Sequence, residues 1–296
     1  MKRMLLLGAT GQVGYELVRA LGPLAELVTP SRKDFDMQMS AEQIVEKIRQ
    51  IQPDLVVNAA AYTAVDKAEQ ESELAWQINA RAPAAIASAC ASVDIPVIHF
   101  STDYVFDGEG LRAYTETDVT QPINVYGESK LAGEEAIRKS QAMHCIFRTS
   151  WVYGLRGSNF LNTMRRLATE KESLNIVNDQ IGSPTWSRHI AEAVAAVVAM
   201  ATREGKIFWQ QNNGIYHLTS AGSTSWYGFA KVIFDELSAA GQSIPVLSAI
   251  SSDAYPTAAQ RPKFSVLDNS LVENRLGIRL PDWRQSLSLV LQDFQT

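Results

Sequence analysis

Residues 4–7 form a short apolar run, Met4-Leu5-Leu6-Leu7, that stops at Gly8-Ala9-Thr10-Gly11-Gln12-Val13-Gly14. Over residues 15–21 the apolar positions then recur at helical spacing. A buried strand, a glycine-rich turn and a helix open a βαβ unit, and few folds begin that way. The glycines let the backbone turn tightly and approach a pyrophosphate, while the helix N-terminus offers free N–H groups and positive dipole to the anion. The spacing is G-x-x-G-x-x-G and not the G-x-G-x-x-G of the older dinucleotide fingerprint. The cradle formed by Gly8, Gly11, Gln12, Val13 and Gly14 is therefore read as a phosphate site whose details stay open.

The alternation continues along the chain. Residues 24–29 read as a second strand, 41–50 as a helix and 55–57 as a third buried strand. An alanine-rich helix follows over 80–91, then strands over 97–100 and 145–149. Strands that alternate with helices predict an α/β fold, a Rossmann-type doubly wound parallel sheet. Beyond Trp151 the pattern loosens, with strands expected over 174–177 and 215–218 and helices over 188–201, 226–240 and 283–294. The expected division is an NAD(P)-binding Rossmann domain over 1–153, rejoined by segments near 186–222, and a smaller mixed, mainly substrate-binding domain over 154–296. No linker separates the parts, so they are expected to pack together and wall off a cleft.

Composition narrows the function. Of 296 residues, 46% are hydrophobic and 20% charged, which suits a soluble enzyme with a sizeable core. A net charge of -5 disfavours nucleic acid or an anionic membrane as the main partner. The opening apolar run breaks at Gly8 and reads as a strand and not a signal peptide. The apolar stretch over 191–201 is too short to span a bilayer. Cys90 and Cys145 form no C-x-x-C motif and read as small core hydrophobes, which points to a reducing, cytoplasmic compartment. His99 falls in a strand and reads as a core histidine. His144, His189 and His217 lack metal-ligand spacing, so no metal is assigned.

Two places carry chemistry. Tyr126 and Lys130 stand four residues apart, on one face of a helix. A phenol titrates near ~10, and a neighbouring ammonium is expected to pull it down towards the working range. Such a pair suits protonation of an alkoxide as it forms. At the C-terminal end of the fourth strand come Ser101-Thr102-Asp103, where ligands of open parallel sheets bind. Past the second strand, Ser31, Arg32 and Lys33 precede Asp34 and Asp36. Basic residues there accommodate a 2′-phosphate and acidic ones a 2′-hydroxyl. NADPH is slightly favoured, with NADH left open.

Taken together these strings resemble the extended short-chain dehydrogenase/reductase superfamily and, within it, the dTDP-4-dehydrorhamnose reductases. The likeness runs over nearly the whole chain. Its most specific parts are Val65-Asp66-Lys67-Ala68-Glu69, Arg148-Thr149-Ser150-Trp151-Val152-Tyr153 and Asp179-Gln180-Ile181-Gly182-Ser183-Pro184-Thr185, in that order. The resemblance implies reduction of the C4 ketone of a dTDP-deoxyhexulose, with Tyr126 as general acid. It implies that Lys130 holds the nicotinamide ribose and that Thr102 bonds the reacting oxygen. Asp103 and Trp151 would lie beside the sugar, Arg261 at the diphosphate, and Asn159 and Phe160 along the pocket. For the cofactor it adds Asp36 and Met37 near the adenine, and Ala60, Ala61 and Tyr62 along the dinucleotide.

Two alternatives stay open. One is a non-catalytic, dinucleotide-binding regulatory homologue of the kind that modulates methionine adenosyltransferase. The other is a nucleotide-sugar epimerase or dehydratase, although dehydratases place an acid after a Thr-Asp pair and this chain has Tyr104 there. Assembly, a homodimer included, is not fixed by the sequence.

Overall fold

A computed structural model describes residues 2–294, so Met1, Gln295 and Thr296, at the outer ends of the two expected domains, lie outside the described residues. Five strands of the first half are β1 (Arg3–Leu7), β2 (Glu26–Val28), β3 (Leu55–Asn58), β4 (Val97–Thr102) and β5 (His144–Thr149). A sixth, β6 (Gly214–His217), comes from the second half and pairs with β5. The sheet order is β6-β5-β4-β3-β1-β2, with every pairing parallel. Parallel strands need crossovers, and helices supply them. These are α1 (Gln12–Leu21), α2 (Ala41–Ile51), α3 (Ala82–Ser92), α4 (Val125–Lys139) and α5 (Ser187–Glu204).

Strand residues alternate between the two faces of the sheet. Leu6, Val57, Ile98 and Phe147 pack with Leu17 of α1 and Ile190, Val194 and Val197 of α5. Leu5, Val56, Val97 and Ile146 pack on the other face with Ile44 and Ile48 of α2, Ile86 of α3 and Ile137 of α4. Both faces are thus covered, which is why these strands read as near-continuous apolar runs. Cys90 and Cys145 are free and buried in these two cores, and burial pushes both thiols up to about 12.

A third core lies in the second half, where helices Phe160–Glu170, Trp226–Ala239 and Trp283–Asp293 meet around Leu161, Phe229, Ile233, Trp283 and Leu287. Short strand pairs frame it: 152–153 with 185–186, 181–182 with 224–225, and 173–177 with 246–250. No helix among the described residues is long and apolar enough to cross a membrane.

Four details differ from the sequence pattern. β2 has three residues, not six, because it is an edge strand paired only with β1 and Pro30 soon follows. β4 runs on to Thr102, since Ser101 and Thr102 pair with Arg148 and Thr149 of β5. The alanine-rich helix starts earlier than expected, through a π-helical turn at Gln77–Arg81. The strand Val246–Ile250 went unread because it is largely exposed and shows no two-residue alternation.

Candidate active site

The glycine turn sits at the C-terminal end of β1, beside the switch point where β2 and β3 flank it on opposite sides. Gly8 adopts φ +80, and a Cβ there would lie 2.5 Å from Ala60 N. A Cβ on Gly14 would lie 2.0 Å from the Gly8 carbonyl oxygen. The turn, the start of α1 and the end of β3 are therefore pressed together as only glycine allows. Gly11 caps α1 without a side-chain bond, and the first turn of α1 holds no acidic residue. Its N–H groups keep their positive end for an anion, so the cradle fits a dinucleotide pyrophosphate.

Around the cradle, Ser31 Oγ donates to Asp34 (2.6 Å) and Arg32 Nε to Asp36 (3.4 Å), with the guanidinium largely exposed. Met37 is buried, and its carbonyl accepts from Gln77 Nε2 (3.1 Å). Ala60 N donates to Asn58 Oδ1 (3.1 Å), while Ala61 is exposed. Asn79 clamps Tyr62 by accepting from its N–H (2.9 Å) and donating to its carbonyl (3.0 Å). The Tyr62 phenol donates to Glu71 (2.7 Å), and burial with that carboxylate raises it to about 12.

Tyr126 lies in the first turn of α4. Asn124 caps that helix, its side-chain oxygen accepting from Gly127 N (2.8 Å), and Arg138 and Lys139 sit in the last turn, where the dipole favours them. A Cβ on Gly127 would come within 2.2 Å of the Tyr104 carbonyl oxygen. That close approach sets Tyr126 against the end of β4, edge-on to the Tyr104 ring at 5.6 Å. Burial drives the Tyr126 phenol well above its usual range, and the Thr102 hydroxyl bonded to it offsets only part of the rise.

The sequence pattern had predicted the opposite shift, produced by Lys130. The structure gives a reason for the failure: Lys130 Nζ is buried against β4, donating to the Phe100 carbonyl (2.6 Å) and standing 3.3 Å from His99 Nε2. Burial lowers Lys130 to about 8, opposed by the Glu134 carboxylate. Asp103 is buried beside Thr102, accepting from Thr102 Oγ1 (3.1 Å) and Ser150 Oγ (3.0 Å), and burial raises it to about 6.

On the far side, Trp151 takes φ 46 and stacks on Trp226 with ring centroids 3.5 Å apart. Phe160 packs on Trp226 and Phe229 at 4.7 and 5.5 Å. Arg261 donates to Asp66 (2.6 Å) and to the Tyr104 hydroxyl (3.0 Å). Asn159 bridges two parts of the chain. Its Oδ1 caps the helix Phe160–Glu170, and its Nδ2 donates to Gln12 and to the Gly154 carbonyl, each at 2.9 Å. It ties the glycine turn to the second half of the molecule.

Comparison with known proteins decides the family. The profile described as the RmlD substrate binding domain matches residues 1–296. The chain belongs to that family. An Escherichia coli K12 relative named dTDP-4-dehydrorhamnose reductase is 45% identical, covering 99% of this chain and 98% of its own. Among solved structures, a dTDP-4-dehydrorhamnose reductase from Clostridium acetobutylicum is 35% identical with a TM-score of 0.90, covering 99% and 100% of the two chains. One from Bacillus anthracis, solved in complex with NADP, is 34% identical with a TM-score of 0.87, covering 99% of each.

For an RmlD-family chain the sequence reading left several neighbours unassigned. Trp226 had been read only as a helix start, and its stacking on Trp151 depends on packing 75 positions away. Asp66 and Tyr104 lie 195 and 157 positions from Arg261, and nothing local ties them to it. His99 and Asn79 are buried polar residues whose partners come from other elements. Glu134 is buried and forms a two-pronged ion pair with Arg148 of β5 at 2.9 and 2.7 Å, although nothing near it in the sequence points to that partner.

Proposed function

We propose that this chain reduces the C4 ketone of dTDP-4-dehydro-L-rhamnose to give dTDP-L-rhamnose, as an NAD(P)H-dependent oxidoreductase. The carrying observation is the protonated Tyr126 phenol at the C-terminal end of β4, in contact with Thr102 and one helical turn from Lys130. The full-length relatives with the reductase name support the reaction and substrate. The bound reduced dinucleotide supplies hydride to the ketone carbon.

The remaining work falls to side chains. Tyr126 gives its phenolic proton to the C4 oxygen as that oxygen becomes an alkoxide, and solvent later returns a proton to the phenolate. A raised phenol suits this role, because the group stays protonated until a much stronger base forms beside it. Thr102 hydrogen-bonds the same oxygen. Lys130 holds the nicotinamide ribose hydroxyls and orients the reductant. Asp103 and Trp151 border the deoxyhexose, Asn159 and Phe160 line the pocket, and Arg261, held by Asp66 and Tyr104, supplies positive charge to the diphosphate.

Gly8, Gly11, Gln12, Val13 and Gly14 cradle the pyrophosphate. Asp36, Met37, Ala60, Ala61 and Tyr62 flank the rest of the dinucleotide. Ser31 and Arg32 favour NADPH over NADH, in keeping with the NADP held by the Bacillus anthracis relative. We assign dinucleotide binding to residues 1–153 with the segments near 186–222, and sugar binding mainly to the rest of 154–296. The assignment implies a cytoplasmic enzyme, and a homodimer is compatible with it.

The test is dinucleotide absorbance with dTDP-4-dehydro-L-rhamnose made in place from dTDP-glucose by a dehydratase and a 3,5-epimerase. Substrate-dependent oxidation that disappears in Tyr126→Phe and Lys130→Met supports the assignment. Dinucleotide binding with no oxidation in the wild type refutes it.

A further inference from the structure

The neighbours of His99 form a chain of hydrogen bonds whose direction is fixed from one end. Asn58 and His99 are paired across β3 and β4, and Asn58 Nδ2 lies 3.1 Å from His99 Nδ1. The Asn58 amide cannot turn over freely, because its Oδ1 accepts from the Ala60 backbone N–H at 3.1 Å. Its NH2 group therefore faces the imidazole and donates to Nδ1. A neutral imidazole that accepts at Nδ1 carries its proton on Nε2. That Nε2 stands 3.3 Å from Lys130 Nζ, which also donates to the Phe100 carbonyl. An ammonium there would set one donor against another. An amine would accept from Nε2–H and donate to Phe100, which leaves Asn58, His99 and Lys130 each with matched partners.

We propose that Asn58 and His99 are positioning residues for Lys130: they hold His99 as its Nε2–H tautomer, and this N–H lowers the proton affinity of Lys130 in the free protein. The assignment of Lys130 to the dinucleotide rests on the proposed reductase; the hydrogen-bond chain does not. Its consequence is that Lys130 holds its proton less firmly than a free lysine while remaining next to Tyr126 on the same helix face.

The other ionisable groups around Lys130 are Tyr126 and Glu134 on its own helix, Asp103 just beyond β4, and Arg148 on β5, which is engaged by Glu134. β3 adds only the neutral Asn58. Burial of both His99 and Lys130 disfavours charge on each, in the same direction as the hydrogen-bond chain.

Nuclear magnetic resonance on the dinucleotide-free protein tests this without substrate. With 15N-labelled histidine, His99 is expected to carry its proton on Nε2 and to stay neutral through mildly acidic pH. With 13C-labelled lysine, the Lys130 titration midpoint is expected to rise by about one pH unit, tenfold in proton affinity, in His99→Leu. His99→Gln, whose side-chain amide can donate from the Nε2 position, should restore the low midpoint. An Nδ1–H tautomer, an imidazolium or an unmoved midpoint in His99→Leu overturns the proposal. Should that variant not fold, the wild-type tautomer decides. A protein with no reductase activity but these titrations would sink the function and keep this inference.

Discussion

Asp103 offers a sharp test of how the site was assembled, through the variant Asp103→Asn. The carboxyl is buried, and its pKa rises from 3.8 to about 6 although Thr102, Ser150 and Ser265 all donate hydrogen bonds to it. Desolvation outweighs those bonds. Between those two values the folded chain holds the proton more tightly than the unfolded chain, so stability from this group falls as pH rises. Below 3.8 the penalty is absent, and above about 6 it is complete. A shift of that size corresponds to about 3 kcal/mol.

Asparagine removes the charge but loses acceptor capacity, returning about 1 kcal/mol of the gain. The net stabilisation at neutral pH is then about 2 kcal/mol, and in acid, where the charge penalty is absent and the lost acceptor is not, the variant is about 1 kcal/mol less stable than wild type. For a chain of this length, with an unfolding entropy of ~2.1 cal/mol/K per residue, the gain at neutral pH is roughly 3 °C in Tm. The assay is paired thermal unfolding of wild type and variant across the acidic limb. The Tm difference, variant minus wild type, should rise from negative to positive between those pKa values and then stay level. A difference that is flat with pH, or that grows more positive towards acid, would refute the reasoning. Activity should fall in the same variant, since the carboxylate borders the proposed sugar site; stability and turnover are then traded at one residue.

Four further outcomes follow from other parts of the molecule. Tyr126→Phe should lower ketone-dependent oxidation by about 10²–10⁴-fold and leave dinucleotide affinity near wild type, as read by fluorescence titration. Glu134→Leu strands the buried Arg148 and should cost about 3–5 kcal/mol in urea unfolding, whereas Glu134→Leu with Arg148→Met should recover most of it. Gly14→Ala puts a Cβ 2.0 Å from the Gly8 carbonyl oxygen, so about 1–3 kcal/mol of overpacking should appear in unfolding, together with weakened dinucleotide binding. Arg32→Ala should weaken NADPH by about tenfold and NADH hardly at all, since only the former offers a 2′-phosphate to a charged donor; equal losses would remove Arg32 from that role.

The buried ion pair also fastens the site helix to the sheet. Glu134 stands one turn after Lys130 on α4 and is bound from β5, so the helix carrying Tyr126 is fastened to the sheet at its middle. At its start Asn124 Nδ2 donates to the Gln260 carbonyl (2.8 Å), next to Arg261. The proposed acid and the proposed diphosphate ligand are therefore carried on segments bonded directly to each other.

The sequence by itself determined whatever depends on neighbours in the chain. The break from Leu7 to Gly8, the helical spacing after it and the buried runs of β3, β4 and β5 are local signals, and they carried the α/β class with its parallel sheet. Tyr126 and Lys130 could be paired because four residues make about one helical turn. The order of the strands, the return of β6 to the edge of β5 and the stacking of Trp151 on Trp226 involve residues far apart in sequence, and only the tertiary structure decided them. The same holds for electrostatics. Tyr126 was expected to be lowered by its helical neighbour, yet it is raised, because burial acts on the phenol while Lys130 is drawn to the Phe100 carbonyl and His99. A side chain's type is written in the sequence; its desolvation and its hydrogen-bond partner belong to the packed fold.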